Sequence, residues 1–163
     1  MTNPPSESSQ AALALLLAGA KALAHGNGPA DRLGILVDAL VGLTEAGSAA
    51  VLVLRSDSAG LVIAASVGVG DPAALEAAIA NPGHPVARAL TEPEPSFDVQ
   101  PIGAGGPALR SHLPLGVDRR GQRVVLGVLA LAHDRPIDLE VRPLVAAGAD
   151  LIAVALELER ETA

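Results

Sequence analysis

Residues Ser111 to Ala132 read SHLPLGVDRRGQRVVLGVLALA. Two apolar runs, Ser111–Val117 and Val124–Ala132, flank the polar segment Asp118-Arg119-Arg120-Gly121-Gln122-Arg123. Leu- and Val-rich runs of this length on either side of a Gly-bearing polar turn predict an antiparallel hairpin. The pattern recurs upstream, where Ala50–Arg55 and Leu61–Val67 bracket Ser56-Asp57-Ser58-Ala59-Gly60. A second hairpin is expected there.

Outside the hairpins the apolar period lengthens to that of helices. Downstream, Leu144, Gly148, Leu151, Ile152, Ala155 and Leu158 form one stripe, widened by Val145, Val154 and Leu156, predicting a helix from about Leu139 to Arg160. Near the start, Leu13, Leu16, Leu17, Ala20 and Ala24 share one face of a helix beginning near Gln10 and ending at His25-Gly26. A second helix is expected from Asp31 as N-cap, through Leu33, Leu36, Val37, Leu40 and Val41, to Gly47 as terminator. Met1–Ser9 is rich in Pro and Ser without apolar period, and reads as a disordered tail before a single domain over residues 10–163. In the middle, Asp71 as cap and Pro72 at the first position predict a short helix carrying Leu75, Ala78 and Ile79, stopped at Asn81-Pro82-Gly83. Val86–Leu90 adds one more turn. Residues 91–109 hold Pro and Gly repeatedly around Phe97-Asp98-Val99, so a long irregular loop with at most one short strand is expected.

Composition narrows the function. A chain of 163 residues supports one core, and a globule of that size buries about 70% of its extended surface. Half the residues are hydrophobic, yet Phe97 is the sole aromatic, so the core must be aliphatic. One ring cannot build the stacking platform that single-stranded nucleic acid needs. The net charge of −7 repels phosphate backbones and anionic membranes alike. No cysteine means no disulfide, thiolate nucleophile, Cys-held zinc or thioether-linked chromophore. Ala11–Ala24 looks briefly like a signal-peptide core, but Glu7 and no Lys or Arg precede it, and Lys21 interrupts a stretch too short to span a bilayer. A cytoplasmic protein with no nucleic-acid or membrane partner is the expectation.

The order helix, helix, hairpin, short helices with a long loop, hairpin, closing helix resembles the GAF family. The likeness is strongest over Leu109–Glu157, LRSHLPLGVDRRGQRVVLGVLALAHDRPIDLEVRPLVAAGADLIAVALE, where a strand, a Gly-bearing turn, the strand Val125–Leu131 and a long Ala/Leu helix follow in the family's order. Ala49–Leu54 with Leu61–Gly68 resembles its first hairpin, so the likeness covers nearly everything after residue 10. The resemblance implies an α+β fold of the α/β-sandwich, GAF/PAS-like kind. Its central antiparallel sheet of five to six strands would run in the order 2-1-5-4-3. The N- and C-terminal helices would lie on one face as a dimer bundle, with short helices and loops roofing a pocket on the other. It implies a scaffold and not a ligand, since members bind cyclic nucleotides, bilins, haem, amino acids or nothing. The Asn-Lys-Phe-Asp-Glu motif of the cyclic-nucleotide members has no match around Phe97-Asp98, and the cysteines of bilin-binding members and of free methionine sulfoxide reductases are absent.

Site candidates follow from position. His25, His84, His112 and His133 show no local metal spacing such as i, i+4. His84 precedes a short helix and His112 opens a strand, so the two can converge in the pocket, where a neutral imidazole polarises a ligand or ligates haem; the sequence itself names no cofactor. Arg88 and Arg110 can clamp a carboxylate, although arginines at element edges are commonly solvated. With Phe97 and Asp98 from the long loop, these six residues form the candidate ligand site. Gly68-x-Gly70-x-x-Ala73 superficially fits a dinucleotide fingerprint, but the neighbouring hairpins exclude a parallel unit and Asp71 sits where pyrophosphate would lie. Three helices with broad apolar faces and one sheet face to cover point to a homodimer. The expectation is a stand-alone, non-enzymatic sensor or regulatory domain that binds a small ligand and signals to a partner protein through a helical dimer interface. Its alternatives are an interaction module with a self-filled pocket and an enzyme using Asp98 and His112.

Overall fold

A computed structural model of the chain describes residues 7–25, 28–55, 60–81, 83–92, 94–100 and 109–162. Helix α1 spans Glu7–His25, three residues earlier than expected. Glu7, Ser8 and Ser9 thus belong to the helix, and the remaining residues of the expected tail, 1–6, lie outside the described residues. An acidic residue in a first helical turn faces unpaired amide groups and is favoured there. Helix α2 spans Pro29–Thr44 and is capped by Gly28, with Pro29 opening the first turn, in place of the expected Asp31 cap. Proline presets the helical φ and lacks an N–H that would go unpaired, so Gly28-Pro29 starts the helix and Asp31 falls inside its first turn. The helix ends on Glu45 in the left-handed region at φ 55°. The expected terminator Gly47 instead leads into the sheet, its amide donating to the Ala132 carbonyl at 2.9 Å.

Five strands form one antiparallel sheet among the described residues: β1 Ser48–Leu54, β2 Leu61–Val67, β3 Ser96–Val99, β4 Leu109–Arg119 and β5 Gln122–His133. Their order is β2-β1-β5-β4-β3, as the family resemblance implies. The hairpin of β4 and β5 runs closer to its turn than the polar segment suggested, with Arg119 paired to Gln122. Only Arg120 and Gly121 form the turn, at φ 51° and 80°. Two positive φ values in a two-residue loop match the right-handed twist of the strands they join.

Helix α3 spans Pro72–Ile79, capped by the Asp71 side chain accepting from the Ala74 amide at 3.1 Å, as its sequence predicts. Helix α4 spans Pro85–Ala89. Helix α5, Arg142–Thr162, starts three residues later than expected because residues 138–141 are spent in a turn, with Val141 and Arg142 both donating to the Asp138 carbonyl.

Strand alternation divides the apolar residues between two cores. One sheet face carries Ala49, Val51, Leu113, Leu115, Leu129 and Leu131, and packs against α2 through Leu33, Leu36, Val37 and Leu40 and against α5 through Val145, Ala149 and Ile152. Burying each of these Val, Leu and Ile side chains stabilises the fold by about 1.5–3 kcal/mol, so aliphatic numbers replace the missing aromatics. Gly148 brings α5 close to α2, since a Cβ there would come within 2.6 Å of Leu40. The opposite face carries Ala50, Leu52, Leu61 and Val128, covered by Ile79, Val86 and Ala89. This second cluster is smaller.

Candidate functional site

Where α3 and α4 bridge away from the sheet, a cavity of about 660 Å³ opens over β1, β5 and β4. That volume lies within the roughly 300–1,000 Å³ of small-molecule sites. Its origin is compositional: Ala50 and Ala130 on the sheet, Ala78 on α3 and Gly83 between the helices are too small to fill the space between the layers. Val69, Leu75 and Val86 complete an apolar lining.

Polar groups gather on one wall. Arg110 and His112 are two residues apart on β4, so alternation sends both to the cavity face, with Ala132 and Ala130 as their partners on β5. His84 and Arg88 reach the same cavity from the start and the body of α4. His84 Nδ1 accepts the Val86 amide at 3.2 Å, which leaves Nε2 to carry the proton of the neutral ring. Burial, and secondarily the Arg110 charge, lower the His84 pKa from its ordinary value. His112 is only 6% exposed. Its pKa falls to about 4 through burial first, then His84, then Arg110. Both rings are therefore neutral near pH 7, and the arginines alone bring full charge to the cavity. Among the described residues neither guanidinium meets a carboxylate at ion-pair distance.

Four of the six expected site residues, His84, Arg88, Arg110 and His112, thus line one cavity. Phe97 and Asp98 do not. Ser96 pairs with His112 and Val99 with Arg110, so Phe97 and Asp98 together oppose Ser111 in a β-bulge, with Asp98 at φ 57°. The extra residue breaks alternation and turns both side chains toward the helical face. Phe97 packs against the larger core beneath the Arg142 guanidinium, 5.0 Å from its ring centre. The Asp98 carboxylate accepts the Ile137 amide at 2.9 Å and pairs with Arg142 at the start of α5. Its own amide donates to Ser111 Oγ, which lies 2.8 Å from His133 Nε2, while His133 Nδ1 donates to the Arg135 carbonyl. This network locks β3 to β4, β5 and α5 on the side away from the cavity. The Asp98–His112 pair on which an enzymatic reading depended is separated by the sheet.

Sequence reasoning missed Val99 and Gln100, which border the cavity. Only the register after the bulge brings them there. Among the described residues no cluster of three or more His, Asp or Glu side chains is placed to hold a metal, and no helix is long and apolar enough to cross a membrane.

An antiparallel 2-1-5-4-3 sheet backed by helices and roofed by short helices over a cavity defines an α/β sandwich of the GAF/PAS-like kind. The family model described as GAF domain matches residues 29–158, and the chain belongs to the GAF family. Solved structures agree on the fold. The GAF domain of a phosphoenolpyruvate-protein phosphotransferase from Coxiella burnetii is 14% identical at TM-score 0.74, covering 96% of this chain and 98% of that one. Free methionine-R-sulfoxide reductase from Neisseria meningitidis, solved with its substrate, is 12% identical at TM-score 0.72 over 100% and 98%. The second GAF domain of DevS from Mycobacterium smegmatis is 24% identical at TM-score 0.61 over 83% and 97%. No curated protein matches by sequence.

Proposed function

We propose that the chain is a cytoplasmic sensor domain whose cavity takes a small molecule and whose helical layer pairs with a second copy, passing occupancy to a partner protein as a shift between two packings of the terminal helices. The observation that carries the reading is the cavity wall, where a nearly buried His112 without a side-chain hydrogen bond to any described residue stands beside Arg110, which meets no described carboxylate at ion-pair distance. The His112 ring faces the cavity and not a protein partner, and a small ligand is the natural occupant of that space. The methionine sulfoxide reductase from Neisseria shows that this fold can seat a small substrate. The dimer is supported by the outer surface of the helical layer. There Leu13, Leu16 and Leu17 of α1 are exposed, as are Leu151, Val154 and Leu158 of α5, and Gly19 of α1 lies against Leu151. Large apolar side chains exposed together on two adjoining helices are a mark of an interface.

Native mass spectrometry of the purified protein against its denatured mass tests both halves at once. A dimer carrying extra mass that is lost on denaturation is expected. A bare monomer at micromolar concentration overturns the sensor-dimer reading.

A further inference from the structure

We infer that the cavity is selective for a small monocarboxylate with a short aliphatic body and no ammonium group, the carboxylate lying against Arg110 and His112 and the hydrocarbon against Ala50, Val69, Leu75 and Ala130. The inference rests on the cavity being a ligand site and names the chemistry that fits it.

Charge decides the head group. The chain carries 18 acidic and 11 basic residues, so most basic side chains have acidic neighbours to choose from. Arg119 pairs with Glu157 and Arg142 with Asp98, yet Arg88 and Arg110 line the cavity with no described carboxylate at ion-pair distance. No Asp or Glu is among the described lining residues. Arg110 is half-buried, and a guanidinium withdrawn from water without a counter-ion is costly, so an anion is the complement. The planar fork of arginine matches a carboxylate with two parallel hydrogen bonds. His112, two residues along the same strand face and so about 7 Å away, supplies a neutral ring that can donate one more. Arg88 lies exposed at the mouth, so a single half-buried cation stands inside, which suits one negative charge better than a polyphosphate.

The rest of the ligand follows from what the lining lacks. An amino acid would bring an ammonium group, and no carboxylate of the described lining is there to receive it. A flat aromatic ligand finds no Phe, Tyr or Trp face to stack on, because Phe97, the sole residue of that kind, faces the helical layer on the other side of the sheet. Aliphatic side chains and alanines leave room for a compact hydrocarbon.

Four ligands of one skeleton test this: 4-methylpentanoate, 4-methylpentan-1-ol, 4-methylpentan-1-amine and leucine, titrated calorimetrically into the ligand-free protein at pH 7. The acid is expected to bind at least tenfold more tightly than each of the other three. Arg110→Gln is expected to bring the acid down to the level of the alcohol while the alcohol itself is unaffected. The comparison in the unmodified chain stands even where that variant fails to fold. An alcohol that binds as well as the acid overturns the carboxylate assignment and leaves the cavity as a ligand site. Leucine binding as tightly as the acid overturns the exclusion of ammonium. If none of the four binds, the class is wrong; retained small-molecule mass in the native spectrum then preserves the sensor reading, and its absence removes that reading as well.

Discussion

Acid should unfold this protein earlier than its carboxylates alone would require, because His112 is held neutral. Its folded pKa of about 4 lies below the ordinary 6.5, so the unfolded chain binds the proton first as pH falls. Stability present above pH 6.5 is therefore lost on the way down to about 4. One pKa unit corresponds to about 1.36 kcal/mol, so the full displacement is worth about 3 kcal/mol. Between pH 7.5 and 5 the single-site linkage relation yields a loss of about 2 kcal/mol, in a window where carboxylates of ordinary pKa near 4 remain mostly ionised. His84 shifts the same way for the same leading cause, burial, and adds to the loss. With no Trp or Tyr in the chain, urea unfolding is best followed by far-ultraviolet circular dichroism, in ligand-free protein at one fixed concentration so that dimerisation does not vary. His112→Gln keeps a polar group in the wall and removes its titration, and most of the slope should vanish with it. A stability that is flat from pH 7.5 to 5, or a variant that keeps the full slope, refutes the assignment of a neutral, desolvated His112.

Other perturbations should separate tight from open sites. Gly127→Ala places a Cβ 1.9 Å from the Leu52 carbonyl oxygen in the middle of the sheet, so a loss above about 3 kcal/mol is expected in urea unfolding. Gly42→Ala, in α2 with nothing within 4 Å, should instead stabilise by about 0.5–1 kcal/mol in the same assay. Asp98→Ala leaves the Ile137 amide without its acceptor and a β-carbon residue at φ 57°, which should lower stability by about 2 kcal/mol, whereas Asp98→Asn tolerates that φ, retains an acceptor oxygen and should lose less. Leu16→Glu with Leu17→Glu, both on the exposed strip of α1, should convert a dimer to monomer in analytical ultracentrifugation without lowering the unfolding midpoint of the monomer.

The parts of this fold that were legible in the sequence are those where one local signal stands without a competitor. Each hairpin is an alternating apolar pair around a turn, and Asp71-Pro72 marks a helix start both by cap and by ring. Where two signals compete the sequence misleads: Asp31 is a good cap residue, but Gly28-Pro29 precedes it and starts the helix first. The helical layer was legible for a further reason, since a stripe such as the one through Gly148, Ile152 and Ala155 repeats over several turns and survives an error of three residues at an end.

The candidate site divides along the same physical line. Arg110 and His112 were legible as site candidates from their place at the start of an apolar strand, but that they share one face follows only from β4 beginning at Leu109, two residues before the expected start at Ser111. The placement of Phe97 and Asp98 was not legible, because a single inserted residue reverses every side chain beyond it, and no local pattern distinguishes a four-residue strand with a bulge from one without. The bulge has a structural logic that only the tertiary fold reveals. Asp98 tolerates the left-handed backbone that the bulge demands, and its carboxylate then reaches Ile137 and Arg142, some 40 residues away in sequence. With the carboxylate committed there, the cavity keeps its arginines without a described carboxylate partner. The bulge that removes Asp98 from the site is thus part of what leaves the site cationic inside an acidic protein.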